Sequence, residues 1–295
     1  MDQAVNLRNL MRKRQTSSNR SSSKVITVTS GKGGVGKSNV SVNLAINLKK
    51  MGKRVVIFDA DFGLANIEVI FGIIPRYNLF DLIYNGMSVE EVLTSGPLGI
   101  EFISGGSGVQ ELTNMTKDQI SFLNEKLLEL DHLADIIIID TGAGISDSVL
   151  EFIVSSSEVI LVTTPEPTSI TDAYAVLKAL KNRKRADYKS TEISLLVNRV
   201  SSESEGLDIY NKLNQVANKF LDINLNNVGF LPQDNYLTKA VIQQKPVSIL
   251  YPKSKVSKAF EVIANNLLNH STYKTKQDVG LRGVFNSLVK FKKYR

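Results

Sequence analysis

Eight consecutive residues near the start of the chain form a loop rich in glycine and lysine. Residues 31–38 read GKGGVGKS and fit the pattern G-x-x-x-x-G-K-[ST] between an apolar run and a helical pattern. Glycines allow successive backbone N–H groups to turn inward and bind phosphate oxygens. Lys37 is expected to reach the β- and γ-phosphates and Ser38 to bind Mg²⁺. The predicted nucleotide-binding residues of this loop are Gly31, Lys32, Gly33, Gly34, Val35, Gly36, Lys37 and Ser38.

Aspartates end two of the later apolar runs. Residues 55–58 lead into Asp59-Ala60-Asp61, and residues 136–139 lead into Asp140. Side chains two apart in an extended chain point to the same side, and ligands of open α/β sheets bind beyond the carboxyl ends of the strands. The three carboxylates are therefore expected beside the phosphates.

The pattern between residues 24 and 270 predicts one α/β domain. Continuous apolar runs alternate with helical stretches, which favours a doubly wound, mostly parallel sheet with helices on both faces. The helix after the phosphate loop is expected to be amphipathic. The predicted strands are 25–29, 55–59, 100–104, 136–140, 159–163, 193–198 and 228–231, and the predicted helices are 38–51, 117–130, 169–181 and 256–268.

Composition narrows the function classes. The 295 residues include no cysteine and two histidines, which excludes disulfides, iron–sulfur clusters and thiol catalysis and argues against a zinc site. No apolar run approaches the ~20 residues that a membrane-spanning helix needs, and the N-terminus lacks the apolar core of a secretory signal. The net charge of +7 comes from the ends, because residues 1–24 and 272–295 are strongly basic and the stretch between them is net acidic.

The second lysine of the loop carries a family resemblance. K-G-G-x-G-K-S resembles the signature of the MinD, ParA and nitrogenase-iron-protein ATPases, which implies ATP and Mg²⁺ as ligands and an ATP-dependent homodimer. The resemblance implies that Lys32 crosses the dimer interface to the partner's nucleotide. The resemblance also implies that Asp140 acts on Mg²⁺ through water, that Asp59 supports the metal shell and that Asp61 positions the attacking water.

Two further segments resemble the part of the family that recognises adenine. They are Asn198-Arg199 at the end of one apolar run and Pro232-Gln233-Asp234 after the next. An asparagine side chain can both donate to and accept from the edge of adenine. A polar strand end followed by a turn is the other interpretation of the same residues.

The N-terminus resembles one branch of the family. Residues 1–14 predict a short helix and residues 15–23 a flexible serine-rich linker. The helix carries D-Q-A-x-x-L-R, which is similar to an element of the FlhG-type ATPases of flagellar placement. The resemblance implies that this element binds the signal-recognition-type GTPase FlhF, and flagellar C-ring components are further candidate partners. The matching residues are Asp2, Gln3, Ala4, Leu7 and Arg8.

Residues 271–295 predict a second linker followed by an amphipathic helix. Basic residues such as Arg282 and Lys290 lie opposite its apolar face, and Lys292 interrupts that face. This pattern is typical of a helix in an anionic membrane surface, so we expect a cytoplasmic protein reversibly bound to the inner face of the cell membrane. A helix docked on its own domain is the alternative. The apolar face comprises Leu281, Val284, Phe285, Leu288 and Val289.

Other functions share parts of this pattern. A basic cluster in residues 178–189 could serve a ParA-type DNA-partitioning ATPase, but the acidic core favours a solvated helix end or a protein-docking face. A cell-division-site ATPase and an adaptor acting through its N-terminal helix also stay open. Metal-cluster carriers need cysteines, which this chain lacks.

Overall fold

The computed structural model describes residues 23–61, 66–106, 130–182 and 191–269. An eight-stranded sheet with the order β3-β4-β2-β5-β1-β6-β7-β8 forms its centre. All pairs are parallel except the antiparallel pair of β3 with β4. The strands are β1 (Lys24–Ser30), β2 (Val55–Ala60), β3 (Thr94–Ser95), β4 (Glu101–Ile103), β5 (Ile136–Ala143), β6 (Glu158–Thr163), β7 (Glu192–Val200) and β8 (Asn226–Pro232).

Helices cover both faces of this sheet, which confirms the predicted fold class. Successive strand residues point to opposite faces, so the apolar runs of the strands are buried on both sides. One face packs against α1, α2, α8, α9 and α10, and the other against α3 to α7. The helices are α1 (Lys37–Lys50), α2 (Asn66–Phe71), α3 (Leu79–Tyr84), α4 (Val89–Val92), α5 (Asp147–Ser155), α6 (Pro167–Asn182), α7 (Glu203–Leu221), α8 (Asn235–Ile242), α9 (Val247–Leu250) and α10 (Lys255–Asn269).

Helix α1, which follows the phosphate loop, is not amphipathic, so that prediction was wrong. Every residue from 40 to 48 is buried, because α1 lies between the sheet and α2, α9 and α10. Its polar side chains are satisfied inside the protein: Asn43 accepts from the backbone N–H of Ser248 at 3.0 Å, and Asn47 donates to the Ser248 hydroxyl at 3.1 Å. A helix held on all sides gives the loop before it a fixed support.

The other differences from the sequence concern short or external elements. Each of the seven predicted strands has a counterpart, and β3 is an additional two-residue edge strand. The pattern missed α7, an external helix capped by Ser202, whose hydroxyl accepts from the N–H of Glu205. Most of the predicted helix 117–130 lies outside the described residues. Within the described ranges, no helix is long and apolar enough to cross a membrane.

The packing of α10 leads to a stability prediction. Phe260 is fully buried in the cluster that α10 forms with α1 and the sheet. We expect Phe260→Ala to lower the free energy of unfolding by about 3–5 kcal/mol, because it leaves a cavity in a close-packed core. Denaturant unfolding measures the change. The neighbouring exposed Glu261 supplies the control, since Glu261→Ala should change stability by less than about 0.5 kcal/mol. Equal effects of the two substitutions would contradict this packing.

Candidate nucleotide site

The phosphate loop and two aspartates meet at the carboxyl ends of three neighbouring strands. In the sheet register Asp140 of β5 is paired with Val28 of β1 on one side and with Asp59 of β2 on the other. The loop follows β1 directly. The strand order changes direction at β1, because β2 to β5 lie on one side of it and β6 to β8 on the other. This is the position at which open α/β sheets bind their ligands. The structure therefore brings together residues that lie up to about 110 positions apart in the sequence.

Two glycines of the loop are required by their surroundings. A Cβ atom on Gly31 would lie 2.1 Å from the backbone oxygen of Asp172, so α6 approaches the loop too closely for any side chain. Gly36 has φ 99°, a left-handed conformation that favours glycine, and a Cβ there would lie 2.6 Å from Nδ2 of Asn198. The loop therefore keeps its shape through packing against α6 and β7.

Two of the three aspartates of the site, Asp59 and Asp140, are buried. Burial raises the pKa of Asp140 to about 6, against hydrogen bonds from Ser38 and Ser41 and the charge of Lys37, which lower it. Burial and then the nearby charge of Asp140 also raise the pKa of Asp59 well above its usual value. Burial lowers the pKa of Lys37, while Asp140 and Asp61 oppose that shift. A cation bound here would replace the lost hydration of the carboxylates.

These residues fit a magnesium ion and a nucleoside triphosphate. Atom Oδ2 of Asp140 is buried and has no hydrogen-bond partner among the described residues. This buried carboxylate oxygen lies beside the hydroxyl of Ser38, the last residue of the phosphate loop. A carboxylate and a hydroxyl of this kind are oxygen ligands that suit Mg²⁺ bound together with a phosphate. The predicted ligands Ser38, Asp59 and Asp140 thus lie together, and their roles as ligands stay predictions.

Ser41 belongs to this site, although the sequence analysis did not single it out. Its hydroxyl is fully buried one turn after Ser38, donates to Oδ1 of Asp140 at 2.8 Å and lies 3.2 Å from the carbonyl oxygen of Lys37. It engages Oδ1 of the carboxylate and leaves Oδ2 without a partner among the described residues. Its position one turn after Ser38, among the apolar residues Val40, Val42 and Leu44, was the signal that could have identified it.

Asp61 lies just beyond the end of β2. Its backbone N–H donates to Oδ1 of Asp59 at 3.1 Å, and its own carboxylate accepts from Nδ2 of Asn66, the first residue of α2, at 3.2 Å. The Asp61 carboxylate also approaches Gly142, 3.5 Å from the position of a Cβ there. Asp61 therefore lies between the segment that follows β2 and the end of β5.

Lys32 interacts within its own chain in this structure. Its Nζ donates to Oε2 of Glu166 at 2.7 Å and to the hydroxyl of Thr168 at 3.0 Å. Glu166 immediately precedes α6, and Thr168 lies in its first turn. The hydrogen bond and the charge of Lys32 lower the pKa of Glu166. The side chains of Lys32 and Glu166 are 38% and 53% exposed, so the pair is weak and easily exchanged for another partner.

Asn198 and Arg199 contact the phosphate loop directly. Nδ2 of Asn198 donates to the carbonyl oxygen of Val35 at 2.7 Å, and Nη2 of Arg199 donates to that of Gly34 at 2.8 Å. Asn198 has one further N–H and one further lone pair. Their predicted contact with adenine stays a prediction, and the contacts with the loop are an addition that the sequence pattern did not indicate.

Asp234 has a structural role at the start of two helices. Its Oδ1 accepts from the N–H of Tyr236 at the start of α8, and its Oδ2 accepts from the N–H of Val256 at the start of α10. Pro232 ends β8 beside it. Both residues flank the carboxyl end of the sheet, and their predicted contact with the base stays untested.

Several predicted sites lie outside the described residues. These are the N-terminal element in residues 1–14, residues 15–22 of the linker, the basic residues 183–189 and the C-terminal helix with its apolar face. The proposed domain bounds at residues 14, 23 and 270 therefore stay predictions.

Comparisons with known proteins identify relatives of this chain. A profile of the ParA family, described as NUBPL iron-transfer P-loop NTPase, matches residues 21–268. The chain is 42% identical over 243 residues to the antiactivator FleN of Pseudomonas aeruginosa, covering 82% of this chain and 85% of that protein. It is 35% identical over 300 residues to the flagellum site-determining protein YlxH of Helicobacter pylori, covering 98% and 99%.

Solved structures show the same fold. The MinC:MinD cell division protein complex of Aquifex aeolicus matches with a TM-score of 0.68 at 24% identity, over 86% of this chain and 99% of that chain. MinD of Pyrococcus horikoshii complexed with Mg-ADP matches with a TM-score of 0.65 at 22% identity, over 86% and 99%. Fold and site thus define a P-loop nucleotide-binding protein. The chain belongs to the ParA/MinD family of P-loop NTPases.

The burial of Asp140 predicts a pH-dependent effect on stability. The folded-state pKa of about 6 exceeds the ordinary value of 3.8, so the folded protein binds more protons between these values and loses stability as the pH rises through them. Without Mg²⁺ and nucleotide, we expect Asp140→Asn to raise the free energy of unfolding by about 1–3 kcal/mol at pH 7.5. The gain should shrink as the pH falls toward 4. Thermal unfolding in EDTA between pH 4 and 8 measures it.

A matched control is available for this prediction. Asp222 is exposed at the end of α7 and has φ 57°, a left-handed conformation that asparagine tolerates. Asp222→Asn removes the same charge far from the loop and should not reproduce the gain. A gain for Asp140→Asn that is equal at pH 4 and pH 7.5 would show that burial of the charge is not its cause.

Proposed function

We propose that this protein is a Mg²⁺-dependent ATPase of the MinD type that dimerises with ATP, binds the membrane and regulates flagellar number or placement with an FlhF-type GTPase. The observation that carries the ATPase assignment is a phosphate loop containing Lys32 and Lys37, beside three aspartates at neighbouring strand ends. The flagellar assignment is supported by the relatives, whose names are an antiactivator FleN and a flagellum site-determining protein.

ATP and Mg²⁺ are the ligands that this site suits best. The backbone N–H groups of the loop and Lys37 bind the phosphates, and Ser38 binds the metal with Asp140 and Asp59 around it. Bound Mg²⁺ neutralises charge on the β- and γ-phosphate oxygens. Asn198, Arg199, Pro232 and Asp234 flank the base. The buried Asp140 oxygen without a partner among the described residues supports this arrangement.

Asp61 positions the water that attacks the γ-phosphate. Its carboxylate is close to Gly142, near the end of the strand that carries Asp140, and Asn66 orients it through a hydrogen bond of 3.2 Å. A carboxylate held in this way accepts a hydrogen bond from water and aligns it with the bond that breaks. The bond between the γ-phosphorus and the bridging oxygen breaks, ADP is the leaving group, and the water becomes part of inorganic phosphate and releases its proton to solvent.

Lys32 stabilises negative charge in the partner subunit's site. Its exposed position at the front of the loop allows it to leave Glu166 and Thr168 when a second copy approaches. Positive charge supplied in trans near the transferring phosphate stabilises the transition state, as an arginine finger does. Hydrolysis then depends on dimerisation, which lets a nucleotide control the lifetime of the dimer.

The two ends of the chain connect this cycle to its partners. The amphipathic pattern of residues 281–289 fits an anionic membrane surface, and a dimer presents two such helices, which strengthens attachment through avidity. The N-terminal element with Asp2, Gln3, Ala4, Leu7 and Arg8 fits contact with the GTPase. C-ring components are further candidate partners, and the place of action is the cytoplasmic face of the membrane.

Action at the cell-division site is the second candidate function. It is favoured by 31% identity over 91% of the chain to a protein named as a putative septum site-determining MinD of Oltmannsiellopsis viridis. A DNA-partitioning role receives less support, because the chain between the basic ends is net acidic. Salt-dependent retention on non-specific DNA, lost when Arg183–Arg185 are neutralised, would favour that role over membrane binding.

Hydrolysis provides the first test of the proposal. Asp61→Asn should lower ATP turnover by about 10²-fold or more and lengthen the lifetime of the ATP-bound dimer, because the water loses its orienting carboxylate. Phosphate release and size-exclusion chromatography with ATP measure the two effects. Asp222→Asn serves as the charge-matched control and should behave as the unmodified chain. Normal turnover in Asp61→Asn would refute the assigned role.

Membrane attachment provides the second test. The full chain should sediment with anionic vesicles in ATP and stay largely in solution with ADP or without nucleotide. A chain lacking residues 279–295 should fail to sediment in all three conditions. A chain lacking residues 1–14 is the control for removal of a basic end and should still sediment with ATP. Equal sedimentation of the full and C-terminally shortened chains would contradict the membrane role of the helix.

A further inference from the structure

The end of β7 has an unusual backbone beside the phosphate loop. Asn198 pairs with Leu231 and Val200 with Pro232, so Arg199 is an extra residue opposite a single step of β8. Arg199 also has φ 61°, which is unfavourable for a residue with a long side chain. Its N–H donates to Oδ1 of Asn198 at 2.9 Å, which stabilises this turn of the chain. Bulges next to binding sites redirect a side chain, and this one directs Arg199 at the loop.

The two side chains bind two consecutive carbonyl groups of the loop. Arg199 donates to the oxygen of Gly34, and Asn198 donates to the oxygen of Val35. Asn198 is buried, and its amide fits beside Gly36 only because Gly36 has no Cβ. The bonds of 2.8 Å and 2.7 Å thus fix the orientation of two neighbouring peptide units.

The geometry of the peptide group links these bonds to phosphate binding. The described chain contains no cis peptide bond, and in a trans peptide the C=O and N–H groups point in opposite directions. The carbonyl of Gly34 belongs to the same peptide group as the N–H of Val35. The carbonyl of Val35 belongs to the same peptide group as the N–H of Gly36. Because both carbonyls point toward β7, both N–H groups point away from it, into the loop.

We propose that Asn198 and Arg199 are positioning residues that aim the N–H groups of Val35 and Gly36 at the nucleotide's phosphates. This inference rests on the proposed function, because it assumes that a triphosphate occupies the loop. It assigns the two residues a task that is independent of the base. Donors oriented in advance lose little freedom when the ligand arrives, so they strengthen phosphate binding whichever base follows.

Tripolyphosphate, which has no base, separates the two tasks. The affinities of Mg²⁺-ATP and Mg²⁺-tripolyphosphate are measured for the full chain by displacement of a fluorescent ATP analogue. Asn198→Ala removes the bond to Val35, together with the bond that Oδ1 of Asn198 accepts from the N–H of Arg199, without changing charge. Arg199→Asn removes the bond to Gly34 while keeping a residue that tolerates positive φ. We expect each variant to weaken both ligands by about five- to tenfold, the effect of one lost hydrogen bond.

Matched controls account for stability and net charge. Asn266→Ala removes another bond from a side-chain amide to a backbone carbonyl, that of Val228 at 3.3 Å, far from the loop. Arg54→Asn removes an arginine that pairs with Asp135 at the opposite end of β2. Both controls should leave the two affinities within about twofold. Thermal unfolding identifies a variant that fails to fold. If Asn198→Ala fails to fold because Asn198 is buried, Arg199→Asn alone still decides the question, since Arg199 is exposed.

The outcomes distinguish the inference from the proposed function. A loss of affinity confined to ATP would overturn the inference and leave Asn198 and Arg199 as base-reading residues only. Unchanged affinities for both ligands would overturn it as well. Failure of the unmodified chain to bind Mg²⁺-ATP would instead refute the proposed function itself.

Discussion

Negative charge is concentrated where β1, β2 and β5 end, and the protein places it out of contact with water. Asp59 and Asp140 are paired in register on adjacent strands, and Lys37, the nearest positive charge, is buried as well. Burial raises the pKa of both carboxyl groups, which means that the empty site is unfavourable at neutral pH. Binding of the proposed metal and triphosphate would relieve this cost, so the stability lost here would increase the affinity for the ligand.

Much of the architecture could be predicted from the sequence because it rests on local patterns. Continuous apolar runs such as residues 136–139 identify parallel strands, and the loop motif places the phosphate site after the first of them. The pattern could not identify β3, whose two residues have no periodicity. It also could not identify the burial of every residue from 40 to 48 of α1, which depends on neighbours far along the chain. Burial of a helix on all sides is a tertiary property.

The candidate site was predictable in its motifs and not in its supporting contacts. Lys37, Ser38 and the three aspartates stand in recognisable sequence patterns. Ser41 and Glu166 do not, because each acts through a partner that is more than 90 positions away in the chain. The bulge at Arg199 was equally hidden, since it depends on the register between β7 and β8. Sequence patterns identify groups that bind ligands, whereas tertiary structure identifies the groups that orient them.

The burial of residues 40–48 of α1 limits where the protein would respond to the proposed nucleotide. A helix that is packed on every side, with Asn43 and Asn47 engaged by Ser248, can neither tilt nor slide without breaking several contacts at once. The segment after β2 is different: α2 has only six residues, and Val69 on its surface is 52% exposed. Conversion of triphosphate to diphosphate would therefore change the structure around Asp61 and Asn66, at the edge of the site. Helix α1 and the phosphate loop that it supports would keep their conformation for the next turnover.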